Sequence, residues 1–235
     1  SQELVPGGRA DYNPQATTWA TAGYVEWQLH ESESDLLPYK VGTYLGSKRV
    51  LNLGAGWSWH PHGAATLAAD GRTLTEHDLL GLGADLFLDQ PVGSQGAAIT
   101  AYTGVWHYDL GPDAVRTIGV MNIGEGGVTV NGAGNAYPVL GTGTTSYTQA
   151  GVLLPGDLGG ARLQPYATAQ VSWLDALGEP MVAPEAGVNL LLQGHHNKVT
   201  LHWRNRPIYV APLGGGAPTV GLRANEAIVQ YAVFY

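Results

Sequence analysis

Three groups of side chains have types and spacings that could do chemistry. His60-Pro-His62, with His77 and Asp78 in the same predicted loop, offers imidazole and carboxylate donors of the kind that hold zinc. Imidazoles at i and i+2 across a proline need not converge, and such residues are more often plain loop-tip side chains. His195-His196 falls in a predicted tight turn, where a polar pair needs no function. Asp85, Asp89 and His107 sit on neighbouring predicted strands and could supply an acid/base pair to a hydrolase. A hydrated polar face accounts for the same residues. No Gly-x-Ser-x-Gly elbow is present, and the absence of cysteine removes thiolate chemistry and disulfides. The runs Gly124–Gly127, Gly132–Gly134 and Gly214–Gly216 lack the strand–loop–helix context of a phosphate cradle. The expectation is therefore a protein that is not an enzyme, with no cofactor and no metal.

The elements that must carry these side chains are read from composition and period. The chain of 235 residues has a net charge of −8, only 13% charged residues, 34 glycines, seven tryptophans and twelve tyrosines. Nucleic acid is not an expected partner, because its phosphates call for clustered Lys and Arg and the basic residues here are scattered. No apolar run approaches the ~18 residues of a membrane-spanning helix. Residues 1–16 are read as a polar N-terminal segment or the end of a preceding strand or loop, with no signal peptide.

Period two runs through almost the whole chain. Leu163, Pro165, Ala167, Ala169, Val171 and Trp173 alternate with Gln164, Tyr166, Thr168, Gln170 and Ser172, giving one apolar and one polar face. Comparable alternation predicts ten strands at about 17–30, 37–46, 49–60, 78–90, 96–109, 145–155, 161–174, 184–194, 198–210 and 222–235. The 96–109 segment is ambiguous, both faces being partly apolar. Short turns are predicted at Gly46–Lys48, Gln90–Gln95, Pro155–Gly160 and Gly194–Asn197. Longer loops alternate with them at His30–Leu36, Pro61–His77, Leu110–Thr144, Asp175–Ala183 and Ala211–Gly221. Strands this long, with connections sorted by length, predict an all-β fold: an antiparallel transmembrane β-barrel forming one domain over residues 1–235. A soluble β-sandwich or calycin-like barrel is the alternative.

On that expectation the pore is lined by Glu26, Lys40, Asn52, Asp85, Asp89, Gln164, Gln170, Asn189, Gln193, Arg204 and Glu226. Trp57, Trp59, Trp173 and Tyr209 fall at predicted strand ends and are expected as membrane-interface aromatics, with Tyr231 and Tyr235 at the opposite interface. Carbohydrate stacking is the sharper alternative for the tryptophans.

Several stretches resemble a known family. Pro38 to Trp57 (PYKVGTYLGSKRVLNLGAGW) is similar to the "GTYLGxKKVxNIGAG" hairpin of porins related to the phosphate-selective porins O and P. Tyr147–Pro155 with Leu163–Ala167 resembles that family's "QAGYLLP…LQPYA" hairpin, and Gly187–Leu201 its "GVNYxLxGHNxKLTL" hairpin. Tyr108–Gly119 with Asn135–Gly143 resembles versions from the Bacteroidota and their relatives. The last residues, Val-Gln-Tyr-Ala-Val-Phe-Tyr, look like the terminal strand that the barrel assembly machinery reads, its signal carried by Val229, Tyr231, Val233 and Tyr235.

The resemblance implies an outer-membrane porin: a passive channel for small hydrophilic solutes or ions, a homotrimer, set among outer-membrane lipid and lipopolysaccharide. It implies an inward fold of the Leu110–Thr144 loop. Family members have sixteen-stranded barrels, and this chain looks like their last ten strands. A smaller ten-stranded barrel is the alternative. The predicted inward positions assemble no Arg/Lys ladder, so phosphate selectivity is not carried over. Two further alternatives are a non-conducting structural or adhesive barrel and an outer-membrane barrel enzyme.

Overall fold

Alternating β-branched, aromatic and small residues build an all-β, antiparallel structure. The computed structural model describes residues 4–34, 36, 42–119, 122–125, 130–131, 134–194 and 196–233. Its strands are β1 (Asp11–Tyr12), β2 (Thr21–Gln28), β3 (Val50–Leu67), β4 (Leu74–Val92), β5 (Ala97–Asp109), β6 (Val115–Gly119), β7 (Asn122–Glu125), β8 (Tyr137–Gly141), β9 (Gly143–Leu153), β10 (Arg162–Leu174), β11 (Met181–Leu191), β12 (Asn197–Val210) and β13 (Thr219–Val233). The main sheet runs β1-β3-β4-β5-β9-β10-β11-β12-β13, with β2 beside β1 on the free edge of β3. A small second sheet, β7-β6-β8, is built from the long β5–β9 connection. Among the described residues, β2 and β13 do not pair with one another.

Cross-strand register assigns every side chain of the main sheet to one of two faces. One continuous row reads Gln28, Asn52, Phe87, Tyr102, Gln149, Thr168, Glu185, Arg204 and Glu226. A neighbouring row on the opposite face reads Leu53, Leu86, Thr103, Thr148, Ala169 and Pro184. The second sheet covers the polar face. Val115 of β6, Tyr137 of β8 and Val130 pack with Leu174, Met181, Ala183 and Tyr209. Asn131 exchanges hydrogen bonds with the Tyr209 backbone, its amide at 2.6 Å from the carbonyl and its oxygen at 3.1 Å from the N–H.

That contact also shows how strongly the main sheet curls. Arg116 of β6 binds Asp11 of β1, while Tyr137 of β8, paired with Ile118, lies under the Arg204 guanidinium of β12. Arg116 and Ile118 are two residues apart, about 7 Å, whereas β1 and β12 would be about 34 Å apart in a flat sheet. The sheet is therefore a trough, its polar face concave.

Three expectations need correction. Residues 42–46 form no strand (residues 37–41 lie outside the described residues), and β2 pairs directly with β3, from Thr21↔Trp59 to Gln28↔Asn52. The expected His30–Leu36 loop thus opens at the same end as the β4–β5 turn. The backbone is diverted because Leu45 and Gly46 take φ values of +53° and +82° and the Tyr44 N–H donates to Asp89 at 2.7 Å instead of to a ladder. Leu45 then packs on Ala98, Leu153 and Leu191, closing one end of the trough. The expected Pro61–His77 loop shrinks to residues 68–73. β3 runs on to Leu67, its irregularity between His60 and Ala64 absorbing Pro61 and the positive φ of His62.

Candidate channel lining

The concave face carries most of the polar residues expected to line a pore. Register places Glu26, Asn52, Asp85, Asp89, Gln164, Gln170, Asn189, Arg204 and Glu226 on it. Gln193 does not belong to the set: β11 ends at Leu191, and Gln193 is an exposed turn residue whose N–H bonds the Asn197 carbonyl. Lys40 lies outside the described residues.

The two sides of the trough differ in charge. On β11–β13, Glu185, Arg204, Glu226 and Arg206 alternate in sign. Arg204 binds Glu185 and lies 4.0 Å from Glu226, which in turn pairs with Arg206. His202 Nε2 is 3.3 Å from Glu185, and its Nδ1 is 2.8 Å from the Tyr166 hydroxyl. Gln170 ties this wall to the second sheet through the Val139 carbonyl at 3.0 Å. Asn189 bridges Gln164 and Thr200 at 3.1 and 2.7 Å.

On β2–β4 the charges are acidic. Asp85 accepts the Tyr24 hydroxyl at 3.3 Å, and Glu26 accepts the Gln28 amide at 2.8 Å. Asp89 is fully buried, holding the Tyr44 N–H and, at 3.3 Å, the Thr100 hydroxyl, with its other oxygen unpartnered. Tyr44 donates to Glu33 at 2.5 Å, and Glu33 also takes the Asn52 amide. Burial first, and then this bond to Glu33, pushes the Tyr44 hydroxyl well above the usual phenol range.

Sequence reasoning missed an aromatic lining between the two walls. Tyr24, Tyr102, Trp106, Tyr108, Tyr147 and Tyr166 all point into the trough by register. Tyr102 stacks with Trp106 at 6.4 Å between centroids and meets Tyr147 at 6.3 Å. The Trp106 indole lies flat over Gly83 and Gly104, where a Cβ would stand 2.4 Å from its ring at either position. The visible trace of this lining was the ambiguous 96–109 segment.

The mouth is bounded by the second sheet. A cavity of about 320 Å³ opens beside Asp11, Arg116 and Leu140, and a cleft of about 190 Å³ beside Tyr24, Asp85 and Trp106. They share Ser58 and Tyr108.

The other candidate groups do not assemble. His60 Nε2 contacts the Thr18 carbonyl at 3.1 Å, His62 contacts Glu76 at 3.3 Å, and His77 contacts Thr66 at 3.1 Å. Asp78 accepts the His62 N–H at 2.9 Å and the Trp59 indole at 3.3 Å. Among the described residues no cluster could hold a metal ion. His107 lies on the convex face, bonded to Thr144 at 3.0 Å, so it cannot join Asp85 and Asp89. His196 is an exposed turn residue, and His195 lies outside the described residues.

The convex face is mainly apolar and, among the described residues, uncovered. Trp57 and Trp173 lie on one register row through Leu82, His107 and Thr144, and Trp59 is one row beyond. These three are 49%, 52% and 45% exposed. Tyr209 is not among them: the irregularity between Ile208 and Tyr209 turns it inward, 2% exposed, with its hydroxyl on the Glu179 carbonyl at 3.2 Å. Val229, Tyr231 and Val233 point outward from β13, and Tyr235 lies outside the described residues. Compared with known proteins, the chain matches no family model, no curated protein and no solved structure.

Proposed function

We propose that this chain forms the wall of a transmembrane β-barrel in a bacterial outer membrane and acts as a passive channel for small hydrophilic solutes and ions. One observation carries the proposal: an outward apolar band that continues over the whole width of the sheet, opposite a polar, charged inner face. Val25 and Trp27 (65% each), Leu53 (38%), Leu82 (48%), Val105 (47%), Leu201 (53%) and Val229 (72%) are all exposed on it. So broad an apolar surface is alien to water-facing monomers and is the surface a lipid-facing sheet presents. Strands of eleven to nineteen residues on β3, β4, β5 and β9–β13 reach across a bilayer with overhang.

The band continues to both edges, and an unpaired backbone edge is not tolerated in hydrocarbon. The working protein therefore joins β13 to β2, either directly or, as the resemblance to the sixteen-stranded porins suggests, through further strands. Outer-membrane lipid and lipopolysaccharide, the barrel assembly machinery acting on β13, and two further copies in a trimer are the partners this reading proposes. The small sheet β7-β6-β8 is the constriction, and the adjoining cavities beneath it start the path.

The test is refolding. Urea-unfolded protein mixed with phospholipid vesicles is expected to gain β-structure and a heat-modifiable gel mobility that it does not gain in buffer alone. A monodisperse, stable monomer in lipid-free buffer would overturn the membrane reading. A second reading, a closed structural barrel, is favoured by the Leu45 segment and the β6–β8 sheet, which cover opposite ends of the trough. Conductance separates the two.

A further inference from the structure

The cleft of about 190 Å³ on the β2–β5 wall has the chemistry of a solute site. Its floor is glycine backbone, which lets Trp106 lie flat on the sheet. Of its lining aromatics, Tyr24, Trp106 and Tyr108 stand on the concave face and Trp57 on the convex one, and Asp85 and Ser58 supply its polar side-chain groups apart from the tyrosine hydroxyls and the indole N–H groups. No Arg, Lys, His, Asn or Gln lines it among the described residues. The only hydrogen bonds described for the Asp85 carboxylate come from the Tyr24 hydroxyl. Glu26 is the next residue along the same face of β2, so the field in the cleft is negative. The arginines of the concave face stand away from it, on β12, paired with Glu185 and Glu226, and on β10, where Arg162 is held by the Gly96 and Leu154 carbonyls.

We propose that this cleft is a binding subsite for a small organic cation carrying a primary or quaternary ammonium. Aromatic faces attract a cation through their quadrupoles, and an adjacent carboxylate adds charge. A sugar ring could stack on the same rings, but its hydroxyls ask for the amide and guanidinium donors that this lining lacks. The cleft adjoins the mouth cavity through Ser58 and Tyr108, so a bound cation sits on the path between the β6–β8 sheet and the interior. As a step in transport, the subsite rests on the channel reading; as a binding site, it does not.

The experiment is therefore equilibrium binding, made on the full chain folded in detergent micelles and followed by tryptophan fluorescence. Choline chloride is expected to give a saturable change that sodium chloride at equal ionic strength and glucose do not give. D85N is expected to weaken it about five-fold through loss of the charge, and W106F to remove most of the signal. Y24F keeps the ring and frees Asp85, so choline affinity is expected to hold or rise. Where D85N fails to fold, judged by gel mobility, Y24F and W106F decide the matter. Equal responses to choline and sodium, binding of glucose in place of choline, or unchanged affinity in D85N would each overturn the proposal. None of these results depends on whether the protein conducts.

Discussion

Thr103 and Thr148 face each other across β5 and β9 on the convex side, their hydroxyls 2.8 Å apart. Their row continues into Leu86 on one side and Ala169 on the other, and both threonines are exposed. If that face meets hydrocarbon, each hydroxyl has only its partner. T103V or T148V then trades one desolvated hydroxyl for a methyl group but orphans the other hydroxyl. T103V/T148V removes both hydroxyls and orphans nothing, so the second replacement gains more than the first. The difference is the coupling energy, which for intramembrane side-chain pairs averages about 0.6 and reaches about 1.7 kcal/mol. In water each hydroxyl would turn to solvent, leaving a coupling near zero. Guanidinium titrations of the four proteins in phospholipid vesicles measure it. The expected result is a coupling of about 1 kcal/mol, with the double variant at least as stable as the parent. Single changes that sum to the double within about 0.3 kcal/mol would refute the placement of this face in lipid.

Other consequences are equally specific. L45A keeps the left-handed backbone at that position but empties the contact with Ala98, Leu153 and Leu191. It is expected to cost about 2 kcal/mol in the same titrations and to raise conductance by loosening the plug; unchanged stability and current would contradict that role. Asp70, in the β3–β4 turn, is held down at about 2 by the Thr73 hydroxyl and by the Thr73 and Arg72 N–H groups. A depressed carboxylate stabilises the turn above its ordinary titration range, and that contribution is lost as pH falls through about 2. T73V is expected to move the Asp70 titration, read by carboxyl NMR, back towards its ordinary value; an unmoved midpoint would remove the hydroxyl as its main cause. E226Q leaves Arg204 and Arg206 with one carboxylate fewer. One charge about 6 Å from a passing ion is worth about 0.7 kcal/mol in water, and about half that in 0.1 M salt. The anion-to-cation permeability ratio is therefore expected to rise about three-fold, and an unchanged reversal potential would place Glu226 off the path.

Where the two faces of a strand differ in chemistry, the sequence was legible. β10 was expected at 161–174 and forms at Arg162–Leu174, because its apolar residues from Leu163 to Trp173 all point one way. β5 looked two-faced because its inner side carries Tyr102, Trp106 and Tyr108, which line the trough as aromatics. The Gly42–Gly46 segment shares period two with a true strand. What diverts it is Asp89, 45 residues from Tyr44, and Arg162, 117 residues from Leu45, partners that no local pattern reveals. Tyr209 was assigned outward by counting in twos, and a single irregularity after Ile208 reverses the count. Glu185 and Arg206 were readable as alternate residues of polar faces, yet their alternation in sign with Arg204 and Glu226 appears only once β11, β12 and β13 are in register.

The most direct measurement is single-channel recording of the purified protein in a planar lipid bilayer, first in symmetric salt and then in a salt gradient. Stepwise, ohmic current is expected, in groups of three steps if three copies assemble, with a reversal potential favouring cations because of the acidic β2–β4 wall. A silent bilayer, with protein shown by gel mobility to be folded and inserted, would contradict the channel and leave a closed structural barrel in its place.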